Sequence, residues 1–160
     1  MSRVLMPRER LLAAVRDKLS QHGYGQLENL PVDPFAIAER EGLRIEKRPL
    51  VGMTGLLFTG GLFAEVILDE NSPARWPFTL AHELIHFWFH PAGTYCESDD
   101  NTKSIYELQA NYAAAEALMP ADAVRIVAPE LDYDVAHLAH AFGVSKQSMA
   151  IRLRELWLPT

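Results

Sequence analysis

The 160 residues carry a formal net charge of −6 with 49% apolar residues, enough for one domain, 1–160, with a hydrophobic core and too few for two. An acidic balance argues against a general nucleic-acid binder, which needs a basic surface to neutralise phosphates. The single cysteine, Cys96, excludes an intramolecular disulfide and with it the secreted disulfide scaffolds, and nothing marks its thiol as an activated nucleophile.

The stretch from Met1 to Arg10 is charged and lacks an apolar core or a small-residue cleavage site. No segment approaches the roughly 20 apolar residues that span a bilayer, so a soluble, cytoplasmic protein is expected. Pro7 opens a first helix whose Leu11, Leu12, Val15 and Leu19 share one face, and Gly23 and Gly25 end it. A shorter helix follows, with Asp33 as N-cap and Pro34 at its first position, through Phe35, Ile37 and Ala38 to a stop at Gly42.

From Leu43 to Leu68 the period changes to that of strands. Leu43, Ile45 and Lys47 alternate with charged residues; Thr54 to Phe58 and Leu62 to Leu68 flank a glycine pair, Gly60-Gly61, that closes a hairpin. A small, mostly antiparallel sheet is therefore expected over 43–70. Two helices should follow within 77–120. The first runs from Pro77 to His90, and after the polar, turn-rich Pro91 to Asn101 the second begins at Ser104, with Glu107 as its capping-box partner, and reaches Leu118.

The first of these helices carries His82-Glu83-Leu84-Ile85-His86. Residues one turn apart project from the same face about 6 Å apart, so two imidazoles can reach one Zn²⁺ at roughly 2.0–2.1 Å. Glu83 then sits where a carboxylate can polarise a water held by that ion. The flanks, Phe78 to Ala81 and Phe87 to Phe89, are strongly apolar, and burying two histidines and a glutamate among them without a partner is costly. A metal removes that cost.

Catalytic zinc usually takes three protein ligands and keeps one position open. His90 continues the i+4 series, but eight residues of helix put it about 12 Å along the axis from His82. The glycine-bent metzincin solution is absent, because Phe89 stands where that glycine belongs. A carboxylate from the following helix remains. Glu107 lies 21 residues past His86, and Ala110, Ala114 and Ala115 on its helix leave room for close packing. Glu97 and Asp99, in the loop, are the alternatives.

Phe78-Thr79-Leu80-Ala81-His82-Glu83-Leu84-Ile85-His86, then Glu107-Leu108-Gln109-Ala110-Asn111-Tyr112-Ala113-Ala114, then Ala117-Leu118-Met119-Pro120 resemble the ImmA/IrrE metallopeptidase family in order and spacing, as does the ending Phe142 to Arg154. The resemblance runs from about Thr54 onward; Leu84-Ile85 is bulkier than the small residue common inside the family's motif. It implies an α+β, zincin-like fold, a small sheet packed on a helical bundle that carries the motif helix, with a glutamate as third ligand. It also implies cleavage or inactivation of helix-turn-helix repressors, a substrate class composition could not reveal.

The expected chemistry is peptide hydrolysis by one Zn²⁺ held by His82, His86 and Glu107, which lowers the pKa of water from 15.7 toward about 7, with Glu83 as general base. Tyr95, Tyr106 and Tyr112 are available to stabilise an oxyanion, and the sequence selects none of them. Leu62 to Leu68 is the expected edge strand on which an extended peptide substrate would lie.

A rival function comes from 131–158, where Val135, Leu138, Ala139 and Phe142, Gly143-Val144-Ser145, and Met149, Ile151 and Leu153 have the spacing of a helix-turn-helix. From Leu131 to Thr160, Lys146, Arg152 and Arg154 are balanced by Asp132, Asp134 and Glu155, so direct DNA binding is not expected and a packed structural pair is. A catalytically silent metal-binding interaction module is the third reading.

Overall fold

The computed structural model describes residues 5–25, 27–97 and 104–160. Leu11, Leu12, Val15 and Leu19 are buried along one face of helix α1 (Arg8–Gln21), as their spacing predicts. Asp33 caps helix α2 (Pro34–Arg40) by accepting hydrogen bonds from the N–H groups of Phe35 (2.9 Å) and Ala36 (3.2 Å).

Four strands form the sheet: β1 (Arg44–Arg48), β2 (Gly55–Gly60), β3 (Phe63–Asp69) and β4 (Thr94–Glu97), in the order β1-β3-β2-β4. The β2–β3 and β2–β4 pairs are antiparallel and β1–β3 is parallel. Gly60 pairs with Phe63, so the hairpin turns on Gly61 and Leu62, with Gly61 in the left-handed region at φ 59°.

Two expectations are corrected here. Strand β3, containing most of Leu62 to Leu68, is not an edge: β1 and β2 flank it. It is interior because β1 returns to it in parallel, leaving Val66 and Leu68 wholly buried. The sheet also extends beyond 43–70, since Thr94 to Glu97, within the stretch read as turns, adds β4 along β2. Four residues are too few to show a strand period.

Helix α3 (Trp76–Phe89) lies between the sheet and helix α4 (Ile105–Leu118), touching both. Thr79 to His86 are all buried, as suits a helix enclosed on every side. Ala110, Ala113 and Ala114 of α4 have no exposed surface, and these small side chains let α3 and α4 approach closely.

Helices α5 (Ala121–Glu130), α6 (Val135–Phe142) and α7 (Lys146–Glu155) complete the chain. Asp134 and Ser145 cap α6 and α7, and Gly143 makes the turn between them at φ 64°. Arg152 of α7 points inward: its Nε donates to the Met119 carbonyl (2.9 Å) and its guanidinium pairs with buried Glu116 of α4. One of the three cations of this segment is thus held inside the protein. Among the described residues, no helix is long and apolar enough to cross a membrane.

Candidate metal centre

One turn of α3 separates His82 from His86, so their rings share the face that looks at the first turn of α4. Ser104 caps α4 by accepting from the Glu107 N–H (3.3 Å). The Glu107 carboxylate does not complete a capping box with it and turns to the histidines. Its Oε2 stands 2.9 Å from His82 Nε2, its Oε1 2.9 Å from His86 Nε2, and the two imidazole Nε2 atoms are 3.1 Å apart.

Among the described residues, His82, His86 and Glu107 are the metal-ligand-type side chains whose ligand atoms gather in this way, all within 4.8 Å. Ligands 2.0–2.1 Å from a tetrahedral ion stand about 3.3 Å from one another, close to the spacing here. Both histidines are buried, and His82 Nδ1 and both Glu83 carboxylate oxygens have no hydrogen-bond partner among the described residues. Two imidazole nitrogens and a carboxylate gathered in a buried place, beside a second buried carboxylate with no partner among the described residues, are unfavourable by themselves and suit a cation. His82, His86 and Glu107 therefore fit a zinc ion.

Electrostatics point the same way. Burial pulls the His86 pKa down from 6.5 to about 4, against the pull of the Glu107 hydrogen bond, so its ring is neutral near pH 7. Burial works to raise Glu107, but hydrogen bonds from His82 and His86 outweigh it and bring the carboxyl to about 2. Glu83 is raised well above the usual carboxylate range, first by complete burial and then by the charges of Glu97 and Glu107. A basic carboxylate beside a neutral imidazole is what proton abstraction from water requires.

Of the two alternatives to Glu107, Glu97 ends β4 near Glu83 but is not in the group of ligand atoms, and its Oε2 accepts from the Thr54 hydroxyl (3.2 Å). Asp99 lies outside the described residues. Cys96, exposed on β4, has its thiol pKa raised by burial and by Glu83 and Glu107, the opposite of an activated nucleophile. Tyr95 stacks on His86 with ring centroids 4.0 Å apart, and its hydroxyl donates to the Pro91 carbonyl (2.6 Å). Tyr106 packs on His90. Tyr112 lines a groove of about 490 Å³ beside the site, together with Phe78, Glu97, Leu108 and Arg152.

Two residues escaped the sequence reading. Gly55 opens β2 directly against Thr79 and Glu83, where any side chain would collide; a glycine at the head of an apolar strand was its only signal. Gln109 is buried in the alanine-rich face of α4 and hydrogen bonds to His90 (3.1 Å). A lone amide in such a face is the cue that marks it.

A small sheet packed on a helix bearing His-Glu-x-x-His, with a glutamate from the next helix, defines a zincin-like α+β metallopeptidase fold. The chain belongs to the IrrE N-terminal-like family, Peptidase_M78, whose model matches residues 38–154. No curated protein sequence matches it. Among solved structures it resembles a Mycobacterium tuberculosis transcriptional regulator, at 19% identity and a TM-score of 0.56, over 91% of this chain and 46% of that one. At that identity the likeness concerns the fold alone, and this chain spans less than half of the other's length.

Proposed function

We propose that this protein is a zinc-dependent peptidase that cuts a helix-turn-helix transcriptional repressor at a specific site. The observation that carries the peptidase reading is the convergence of His82, His86 and Glu107 beside a buried Glu83 with no hydrogen-bond partner among the described residues, in a chain of a metallopeptidase family. When bound by those three residues, zinc supplies a Lewis acid that acidifies water and stabilises negative charge on the scissile carbonyl oxygen.

Glu83 does the proton work. Its carboxylate takes the proton of the attacking water and returns it to the amine nitrogen as the peptide bond breaks. Burial keeps the carboxylate basic enough to accept that proton and excludes competing water. Gly55 brings β2 close over Glu83, limiting the positions its side chain can take.

An extended substrate would lie along β4. This strand pairs with β2 on one side, and among the described residues no strand pairs with the other. Gly93 O accepts from the Thr59 N–H (2.9 Å), so the alternation of an antiparallel ladder turns the backbone of Thr94 and Cys96 away from β2. Among the described residues those groups have no backbone partner, which leaves them to a peptide strand beside the metal helix.

The choice of a repressor as substrate rests on the resemblance to the ImmA/IrrE family, and the fold shared with a transcriptional regulator is compatible with it. The test is incubation with a helix-turn-helix repressor encoded beside this chain, with and without chelator, followed by mass analysis. Discrete fragments, abolished by chelator and by Glu83→Gln while zinc stays bound, are expected. An intact repressor under zinc-loaded conditions would refute the substrate, and full activity of Glu83→Gln would refute the mechanism.

A further inference from the structure

His90 is too far along α3 to share an ion with His82, yet it is buried and touches His86: the two Nδ1 atoms are 2.7 Å apart. At that distance one nitrogen must carry the proton and the other a lone pair. Two further contacts decide which. The Met6 carbonyl can only accept, so the Gln109 amide nitrogen 2.8 Å away donates to it. The Gln109 oxygen, thereby turned the other way, is 3.1 Å from His90 Nε2 and can only accept. His90 must then carry its proton on Nε2, which leaves a lone pair on Nδ1 facing His86.

We infer that His90 is a positioning residue for the metal site: through the fixed sequence Met6 carbonyl, Gln109 amide, His90 ring, it holds the His86 proton on Nδ1 and leaves the Nε2 lone pair directed at the ion. This rests on the zinc reading of His82, His86 and Glu107. The arrangement has something to overcome. Glu107 Oε1 stands 2.9 Å from His86 Nε2 and, before metal binds, draws the same proton to the side where the ion must sit. An acceptor on the far side of the ring opposes that draw.

The two metal histidines are unequal in this respect. His82 Nδ1 has no partner among the described residues, so the outer hydrogen bond that normally orients a metal-bound imidazole is supplied for His86 by His90. Tyr95 stacked on His86, with the Tyr106 ring 4.8 Å from that of His90, closes the rings in from the sides.

The test uses the full chain and zinc itself. Chelator competition should show that His90→Phe weakens zinc binding by about 10- to 100-fold, as loss of an outer partner does. His90→Asn, whose amide oxygen can replace Nδ1 as acceptor, should restore most of the loss. Long-range ¹H–¹⁵N spectra of the histidines in metal-free protein should place the His90 proton on Nε2, and Gln109→Leu should remove that preference and weaken zinc binding. If His90→Phe does not fold, Gln109→Leu carries the affinity test.

A wild-type His90 protonated on Nδ1, or equal zinc loss in His90→Phe and His90→Asn, would overturn the inference. Failure of the wild-type protein to bind zinc would instead refute the metal reading, and the metal-free spectrum still decides the tautomer.

Discussion

Gly55 of β2 lies so close to Thr79 of α3 that a Cβ built on it would overlap the threonine methyl and stand 3.3 Å from Glu83 Oε1. Sheet and metal helix therefore meet at the proposed general base, with no atom to spare. Gly55→Ala should cost about 1–3 kcal/mol as an overpacked contact. Because it shifts Glu83, it should slow cleavage by about 100-fold while zinc stays bound. Thermal unfolding, zinc content and repressor cleavage measured together check this; wild-type cleavage by a folded Gly55→Ala protein would contradict the contact.

Glu107 and Glu97 divide their tasks by direction. Glu107→Gln should weaken zinc binding by more than the about 10- to 100-fold typical of an outer partner, because its oxygens sit 2.9 Å from both histidines. Glu97→Gln should leave zinc affinity nearly unchanged, since its carboxylate faces Thr54. Chelator competition on the two variants decides; equal losses would make Glu97 a rival ligand.

Acid should destabilise the metal-free protein earlier than ordinary carboxylate titration does. The folded state holds His86 at about 4 against the usual 6.5, so the unfolded chain binds the extra proton between those values and stability falls as pH drops through them. This contribution is on the order of 3 kcal/mol. Glu107, at about 2 against 4.5, gives stability that is complete above 4.5 and lost as pH falls toward 2. Burial raises the Glu83 carboxyl, which works the opposite way as pH falls, so the His86 contribution is read as a difference: the Tm of chelator-treated wild type minus that of His86→Gln should shrink below about pH 6.5. A difference that stays constant from pH 7 to 5, measured without metal, would rule this out.

Strand β4 offers a direct check of the substrate platform. Cys96→Pro removes an N–H that faces away from β2, a position where an edge strand tolerates proline. The variant should fold and bind zinc but cleave the repressor more slowly, by about tenfold for the loss of one main-chain hydrogen bond. Cys96→Ala serves as the control and should cleave normally. Unchanged cleavage by Cys96→Pro would remove β4 from substrate binding.

Local periodicity made most of the fold legible. The apolar face of α1, the Asp33-Pro34 start of α2, the β2–β3 hairpin and the limits of α3 and α4 all follow from neighbours within one or two turns. The spacing of His82, Glu83 and His86 is equally local, because a helix fixes which side chains share a face.

What the sequence could not determine depends on partners far away in the chain. Whether β3 is an edge depends on β1 pairing beside it, and whether Thr94 to Glu97 is a strand depends on β2. Glu107 had two partners open to it, the cap of its own helix and the histidines; only the packing of α4 on α3 brings its carboxylate to His82 and His86. The place of His90 needs a carbonyl at Met6, 103 residues from the Gln109 that reads it. The sequence by itself determined the chemistry a single helix can display, and the tertiary structure decided which distant groups complete and orient it, because hydrogen bonds and ligand contacts act only over a few ångströms, whatever the separation along the chain.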